Sequence, residues 1–328
     1  MRNAGPRSDA PAVPGIIETL SMGFGIVNRV PWVLAVPVAL DLLLWLGPKL
    51  SIATLGERLV ERTLAMIGGA GEAAGATADG QLGQVTQQLE LVRAVTRSFN
   101  LLSLLAFGGF AMESAVPPER GGLGGRVELL SASQVVVVAF GLLLLGVALA
   151  CLWLGAIAQE LRDGRISAPR LLRAVPRYWL SIVGFFAMLI GGALGVTLPL
   201  MAVAAVTQLF VPALGTFLTL FVAVALQLLL IWALLYLAFF ADAIVLSEVG
   251  PIRAAASSIR VVSSNFWSAL GFIIITWVIM RGLHVIWQGL AQAPVGLALA
   301  IFGNGYVESG LAAASLLFYR NRIARSTS

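Results

Sequence analysis

The sequence predicts an all-α, polytopic membrane protein with six transmembrane helices arranged as three hairpins. Of its 328 residues, 59% are hydrophobic and only 11% are charged, whereas a soluble domain carries about 25% charged residues. The stretch 178–241 contains no charged residue at all, and such continuous apolar runs differ from the alternating pattern of barrel strands. Helices satisfy their own backbone polar groups in lipid, so a helical bundle is the expected architecture.

The boundaries of the six spans follow from the apolar runs, because a helix needs about 20 residues to cross the hydrocarbon core. A turn near residues 207–215, where Gln208, Pro212 and Gly215 interrupt the apolar run, divides the longest run into two spans. The predicted organisation is a disordered tail (1–14), an interfacial helix and span 1 (15–47), a long extracytoplasmic loop (48–130), span 2 (131–160), a second interfacial helix (161–177), spans 3 and 4 (178–241), a third interfacial helix (242–265), spans 5 and 6 (266–319) and a basic cytoplasmic tail (320–328).

The distribution of charge predicts that both termini lie in the cytoplasm. With that orientation, the cytoplasmic segments carry thirteen basic and six acidic residues, and the extracytoplasmic loop carries seven basic and eight acidic ones. Basic residues are retained on the cytoplasmic side of membrane proteins. The positive net charge of +5 is therefore explained by basic residues on the cytoplasmic side and does not indicate binding of nucleic acid. We expect a multi-pass protein of the cytoplasmic (inner) membrane.

A similar pattern occurs three times: a short amphipathic segment, then a span that opens with an aromatic residue. The aromatic residues predicted to anchor the spans at the interface are Trp32, Trp179 and Trp267. The arginines predicted to face anionic lipid headgroups on the cytoplasmic side are Arg170, Arg173, Arg177, Arg253 and Arg260. The pattern favours an internal repeat, although basic amphipathic linkers and interfacial tryptophans are common in all polytopic proteins.

The extracytoplasmic loop is predicted to contain its own helices. Residues 55–67 and 81–97 have helical periodicity, with the charges on one face. The apolar segment 99–111 is too short to cross the membrane, which indicates a re-entrant or interfacial segment. Because this loop is the least repeated part of the chain, we expect any protein partner to bind there.

Three ionisable residues fall within the predicted spans: Asp41, Arg281 and Glu308. A charge near the bilayer centre costs about 2.5–3.5 kcal/mol on insertion scales, so such residues are expected to pair. We expect Arg281 to pair with Glu308, with Asp41 at a similar depth.

Further polar residues accompany this charged cluster. Glu308 lies in a polar, glycine-rich stretch that could form a ligand site or pathway, with Asn304, Tyr306 and His284 as the candidate residues. The alternative is a structural ion pair, with small residues allowing close helix packing. His284 could relay protons, but an ordinary interfacial role is the simpler interpretation.

The sequence contains no recognisable catalytic or cofactor-binding motif. Cys151 and His284 are the only residues of their types, which excludes a metal site built from several Cys or His ligands. Walker, Gly-x-Ser-x-Gly, His-Glu-x-x-His and Cys-x-x-Cys patterns are absent from the sequence. An intramembrane acid pair of Asp41 and Glu308 lacks any flanking motif of a protease. We therefore expect no catalytic residue, no metal and no cofactor.

One segment resembles a known group of proteins. It runs Ala-Asp-Ala-Ile-Val-Leu-Ser-Glu-Val-Gly-Pro-Ile-Arg-Ala-Ala from residue 241 and continues to Ser-Asn-Phe-Trp at residues 264–267. It is similar to a broad group of poorly characterised bacterial and archaeal six-helix membrane proteins. That group includes the membrane domain fused to some glycerophosphodiester phosphodiesterases. The resemblance implies a membrane module, and it transfers no active site to this chain.

The sequence thus leaves two main functions open. The first is a non-enzymatic integral membrane protein, acting as a scaffold or accessory subunit that contacts lipids or partner proteins. The second is a small-molecule or lipid transporter that uses the Asp41, Arg281 and Glu308 cluster. A third hypothesis is a lipid-processing enzyme.

Overall fold

The structure is a computed structural model that describes residues 14–74, 79–107, 114–117 and 121–326. Most of the predicted disordered tail, residues 1–13, therefore lies outside the described residues. The helices are α1 (Ile16–Arg29), α2 (Ala35–Leu46), α3 (Ala53–Ala74), α4 (Asp79–Ser98), α5 (Leu104–Phe107), α6 (Ala132–Asp163), α7 (Ala168–Phe210), α8 (Pro212–Tyr236), α9 (Phe240–Ser247), α10 (Pro251–Ser264), α11 (Phe266–Leu290) and α12 (Pro294–Ser326). Two 3-10 helices (Pro31–Leu34 and Leu101–Ser103) and two strands, β1 (Lys49–Ser51) and β2 (Arg126–Glu128), complete the elements.

Within the described ranges, five stretches are long and apolar enough to cross a membrane: α6, α7, α8 together with α9, α11, and α12. The predicted multi-pass, helical membrane protein is confirmed in this form. The predicted span 1 is not one straight helix, because α2 has 12 residues and reaches only about 18 Å of the roughly 30 Å hydrocarbon core. A sixth span exists only if α1 and residues 31–46, which are bent by 98° at their junction, are counted as one.

The second predicted interfacial helix, 161–177, is wrong as a separate element. The helix starts after Ser167, with Pro169 in its first turn, but it then continues without a break to Phe210. Pro176 lies inside it; a proline there removes one backbone hydrogen bond, and this long helix continues past it. Of the three predicted repeats, only the first and third have a break before the span, at Val30 and Asn265.

The third predicted interfacial helix, 242–265, is also wrong as one element. Its first part belongs to α9, whose residues from Phe240 to Leu246 are all buried, as is typical of a helix that is apolar on every side. Glu248 then adopts the left-handed conformation and ends α9, and α10 begins at Pro251. The predicted turn in 207–215 is confirmed by the break at Val211, whereas the predicted tail 320–328 begins inside α12.

The predicted loop 48–130 contains the helices predicted for it and one unpredicted feature. Helices α3 and α4 cover the predicted segments 55–67 and 81–97. Strands β1 and β2 form a parallel pair, with Lys49 opposite Arg126. The expectation of an all-α fold is therefore wrong for these six residues, which are too few and too irregular in pattern to be recognised from the sequence.

The chain divides into two compact units. The first comprises Met1–Pro31, Cys151–Ile279 and Ser309–Ser328. In its core the rings of Phe239 and Phe318 are stacked, and the ring of Phe272 is tilted against both. In this unit, Gly23 on α1 faces Gly310 on α12 so closely that an added Cβ would lie 2.5 Å from the Gly310 carbonyl oxygen.

The second unit comprises Trp32–Ala150 and Met280–Glu308. Its buried apolar cluster consists of Val38, Ala291, Leu297 and Ile301. Leu34, Leu42, Trp45 and Val116 pack against that cluster as partly buried side chains. The segment of α12 that carries Asn304 and Glu308 belongs to this unit, together with α2.

Candidate functional site

The centre of the candidate site is a buried group of three polar side chains in the second unit, Asp41, Asn304 and Glu308. Asp41 is 4% exposed, and Asn304 and Glu308 are each 5% exposed. The amide nitrogen Nδ2 of Asn304 donates to Oε1 of Glu308 at 3.2 Å and to Oδ2 of Asp41 at 3.5 Å. An amide nitrogen carries two hydrogens, so Asn304 can bridge both acids at once.

Glycines next to Asn304 explain how three helices approach so closely here. A Cβ added to Gly305 would lie 3.0 Å from Cγ2 of Val38 on α2. A Cβ added to Gly303 would lie 2.7 Å from the ring of Trp287 on α11. The polar, glycine-rich stretch singled out in the sequence therefore brings Asn304 against α2 and α11, as expected where small residues let helices pack closely.

Backbone from the predicted loop 48–130 contributes to the same site. The backbone N–H of Ala115 donates to Oδ2 of Asp41 at 3.3 Å, and the side chain of Ser114 forms a further hydrogen bond with Asp41. Ala115 is buried. Irregular backbone is tolerated at such depth only where protein or a cavity satisfies its polar groups, and here Asp41 does so.

The described chain on either side of Ala115 lies near the C-terminal end of α2, and the assignment of residues 99–111 as re-entrant or interfacial stays a prediction. On the N-terminal side, Oδ1 of Asn100 accepts a hydrogen bond from the Leu50 N–H of β1 at 3.0 Å, and the next residues, Leu101 and Leu102, are buried. On the C-terminal side, the N–H of Gly122 donates to the carbonyl oxygen of Leu44 at 3.2 Å. Both ends thus lie near the C-terminal end of α2, although residues 108–113 and 118–120 lie outside the described part of the chain.

The electrostatics of the site follow from these distances. The two carboxylate oxygens that share the Asn304 amide cannot be more than 6.7 Å apart, the sum of the two hydrogen-bond lengths. Two full negative charges at that separation repel by at least about 2.5 kcal/mol at an effective dielectric constant of 20. A site of this kind favours binding of a proton or another small cation.

The other predicted cluster residues lie in different surroundings. Arg281 is an exposed residue of α11, and His284 and Tyr306 are partly buried. Nε2 of His284 lies 2.9 Å from Nε2 of Gln288, one helical turn further along α11. The pairing of Arg281 with Glu308 stays a prediction.

The predicted interfacial residues lie at the protein surface. Trp32 and Trp267 are 50% and 80% exposed, and Trp179 is partly buried. All five predicted lipid-facing arginines are exposed: Arg170, Arg173, Arg177, Arg253 and Arg260. Arg170 contacts protein through a salt bridge of 2.9 Å with Asp163.

Sequence reasoning missed a second polar cluster, which lies in the first unit around Glu248. Nη1 of Arg162 donates to Oε1 of Glu248 at 2.7 Å, and the Tyr178 hydroxyl donates to the same oxygen at 3.1 Å. Burial acts to raise the pKa of Glu248, but the hydrogen bond and charge of Arg162 outweigh it and lower the pKa below its ordinary value. The sequence analysis counted Arg162 and Glu248 only as charges on the cytoplasmic side, because no local pattern links positions 162, 178 and 248.

Asp242 is another buried acid that the sequence did not single out. It lies on α9, is 5% exposed, and accepts a hydrogen bond of 2.5 Å from the Ser315 hydroxyl on α12. Among the residues that the structure describes, no group of three or more His, Cys, Asp or Glu side chains could hold a metal ion.

These helices define an integral, multi-pass membrane protein. Each of the five spanning stretches contains an 18-residue window of high mean hydropathy, from 1.2 in α12 to 3.0 in α6. No protein-family model, curated protein or solved structure matches the chain. The resemblance of residues 241–267 to the six-helix group therefore stays a prediction.

Proposed function

We propose that the protein is a proton-coupled transporter of a small molecule or lipid, with Asp41, Asn304 and Glu308 as the proton-binding site. The observation that carries this proposal is the bridging of two buried carboxyl groups by one amide. Ionisable residues inside membrane proteins commonly mark ion pathways and proton relays. The proposal assigns no enzymatic activity to the chain.

The proposed mechanism follows from the charge on the pair. When one carboxyl is protonated, it can donate or accept a hydrogen bond, and the pair carries a single negative charge. Loss of that proton creates the repulsion between Asp41 and Glu308, and it strengthens the hydrogen bonds that Asp41 accepts, since bonds to charged acceptors are about twice as strong as neutral ones. Because Ser114 and Ala115 bind Asp41 directly, proton binding would alter how firmly their segment is held.

The decisive experiment measures proton flux in liposomes that contain the purified protein and a pH-sensitive dye. Glu308→Gln is expected to abolish protein-dependent flux, because an amide cannot exchange a proton near neutral pH. Asp242→Asn is the matched control, since it also replaces a buried carboxyl by an amide, and it is expected to keep the flux. If folded Glu308→Gln transports like the wild type, or complements a deletion strain, the transporter proposal is wrong.

A second candidate, a scaffold or accessory subunit, is favoured by exposed apolar surface. The hairpin of α7 and α8 has only 6% of each spanning window buried within the chain. In the extracytoplasmic loop, Leu59 and Met66 on α3 and Leu91 and Val95 on α4 are exposed at helical spacing. Exposed apolar patches often mark interaction sites, so this reading expects a protein partner at the loop. The scaffold hypothesis would be favoured if a stoichiometric subunit copurified with the wild type and was lost when Leu59 and Leu91 are replaced by Gln.

We further propose that both termini are cytoplasmic, in the inner membrane of a bacterial-type cell. The excess of basic residues in the segments next to the spans supports this orientation. Single cysteines at Ala65 and Ser167, in a Cys151→Ser background, should react with an impermeant reagent from the outside and from the inside, respectively. The opposite labelling pattern would reverse the assignment.

A further inference from the structure

Helix α10 has two faces of different character. One face is buried in the first unit and consists of Ala254, Ala255, Ser258, Val261 and Val262. The opposite face is exposed and carries two isoleucines, seven residues apart, and two arginines with the same spacing. Ile252 and Ile259 are 70% and 45% exposed, and Arg253 and Arg260 lie beside them. This combination of exposed apolar and cationic residues is typical of a helix at the membrane–water interface.

The beginning of α7 adds to the same side of the unit. Helices α7 and α10 pack against each other. Nη2 of Arg177 donates to the carbonyl oxygen of Glu248 at 3.2 Å, three residues before α10 starts. Arg173, one turn before Arg177, is exposed. The contact of Arg177 with Glu248 therefore places the N-terminal part of α7 next to the segment that leads into α10.

The arginines in this region differ in what they bind. Arg162 and Arg170 form salt bridges with Glu248 and Asp163. By contrast, the guanidinium groups of Arg173, Arg253 and Arg260 form no hydrogen bond or salt bridge with any residue that the structure describes. Their donors remain available, and an arginine has five N–H donors in a geometry that matches phosphate oxygens.

We propose that these residues form a binding surface for an anionic phospholipid. Arg173, Arg253 and Arg260 would bind the headgroup phosphate, while Ile252 and Ile259 contact the acyl chains; we call these five residues the lipid-binding surface. Charge complementarity and the pairing of cationic with apolar exposed residues select a lipid over a soluble acidic partner, which would leave the isoleucines in water. This inference is independent of the proposed transport activity.

The test measures lipid binding to the purified, detergent-solubilised protein by native mass spectrometry. Phosphatidylglycerol is titrated against phosphatidylcholine, and inorganic phosphate serves as a third ligand. The wild type is expected to prefer phosphatidylglycerol at least tenfold, and added phosphate should not compete at millimolar concentration. The double variant R253Q/R260Q should bind phosphatidylglycerol about 30-fold more weakly, as expected for the loss of two basic residues near an anionic lipid.

Two further variants separate specific binding from overall charge. R253K/R260K keeps the charge but loses the planar guanidinium groups, so its affinity for phosphatidylglycerol should lie between those of the wild type and R253Q/R260Q. Arg165→Gln removes an exposed arginine of the first unit that lies outside α7 and α10, and it should bind like the wild type. Equal binding of the two lipids by the wild type, or competition by free phosphate, would overturn the proposal even if the Gln variants fail to fold. The proposal would also be wrong if Arg165→Gln weakened phosphatidylglycerol binding as much for its one lost charge as R253Q/R260Q does for each of its two.

Discussion

Replacing Glu308 by Gln tests whether the buried acids form a proton site or a structural ion pair. The substitution keeps the shape of the side chain and leaves an amide oxygen that can still accept the 3.2 Å hydrogen bond from Asn304. It removes the charge of one carboxyl and its ability to exchange a proton. The change therefore separates the electrostatic role of Glu308 from its role in packing.

The two hypotheses predict opposite changes in the free energy of unfolding. If Glu308 and Asp41 form a proton site, Glu308→Gln removes the repulsion between their two carboxylates. That repulsion is at least about 2.5 kcal/mol when both are ionised, because their oxygens lie within 6.7 Å of each other. The expected change then lies between zero and a gain of about this size, depending on how much of the pair is already protonated. If Glu308 is instead bound to Arg281 in an ion pair, removing either partner lowers stability, by up to the 3–5 kcal/mol, roughly, that is typical of a fully buried pair.

Equilibrium unfolding in mixed micelles, followed by circular dichroism, measures this difference directly. The wild type, Glu308→Gln and Arg281→Gln should be compared at one detergent composition and at pH 7. A proton site predicts that Glu308→Gln is as stable as the wild type or more stable, and that Arg281→Gln behaves independently. A loss of more than about 1 kcal/mol in Glu308→Gln, matched by a similar loss in Arg281→Gln, would refute the reasoning.

Two further predictions concern the first unit. Because Arg162 lowers the pKa of Glu248 below 4.5 despite partial burial, their interaction contributes to stability above about pH 4.5 and is lost as the pH falls through the lowered pKa. Arg162→Gln should flatten this acid dependence in unfolding experiments, and an unchanged pH profile would exclude the interaction as its source. Gly310→Ala should lower stability by about 1–3 kcal/mol, because the new methyl group collides with the ring of Phe24. Gly282→Ala, where nothing lies within 4 Å, should be neutral or stabilising by up to about 1 kcal/mol, and equal effects of the two changes would contradict the predicted contact.

Predictions from local pattern succeeded where the pattern itself decides the structure. The charge-free run 178–241 predicted two spans with a turn near 207–215, and the helices break at Val211. The periodicity of the loop predicted α3 and α4. By contrast, the amphipathic character of residues 168–177 did not show whether that segment ends before its span, because amphipathicity is compatible with both a separate helix and the first turns of a longer one.

The sequence predicted that Asp41 and Glu308 belong to one cluster at a similar depth, but it did not predict the hydrogen bonds that join them. Asp41 and Glu308 could be recognised individually, because a carboxyl group within an apolar run is costly in lipid. Their shared partner Asn304 was noted for its polar surroundings, but the contact between Asn304 and Asp41 joins positions 263 residues apart. No spacing rule links such positions.

Composition and hydropathy alone therefore determined that this chain is a helical, multi-pass membrane protein, because transfer of each apolar residue into lipid depends mainly on the residue itself and adds up along a run. Only the tertiary structure decided which polar groups meet. The glycines at 303 and 305 allow α2 and α11 to approach α12, and the segment around Ala115 returns to Asp41. These contacts depend on how distant helices pack, and side-chain hydropathy carries no information about that packing.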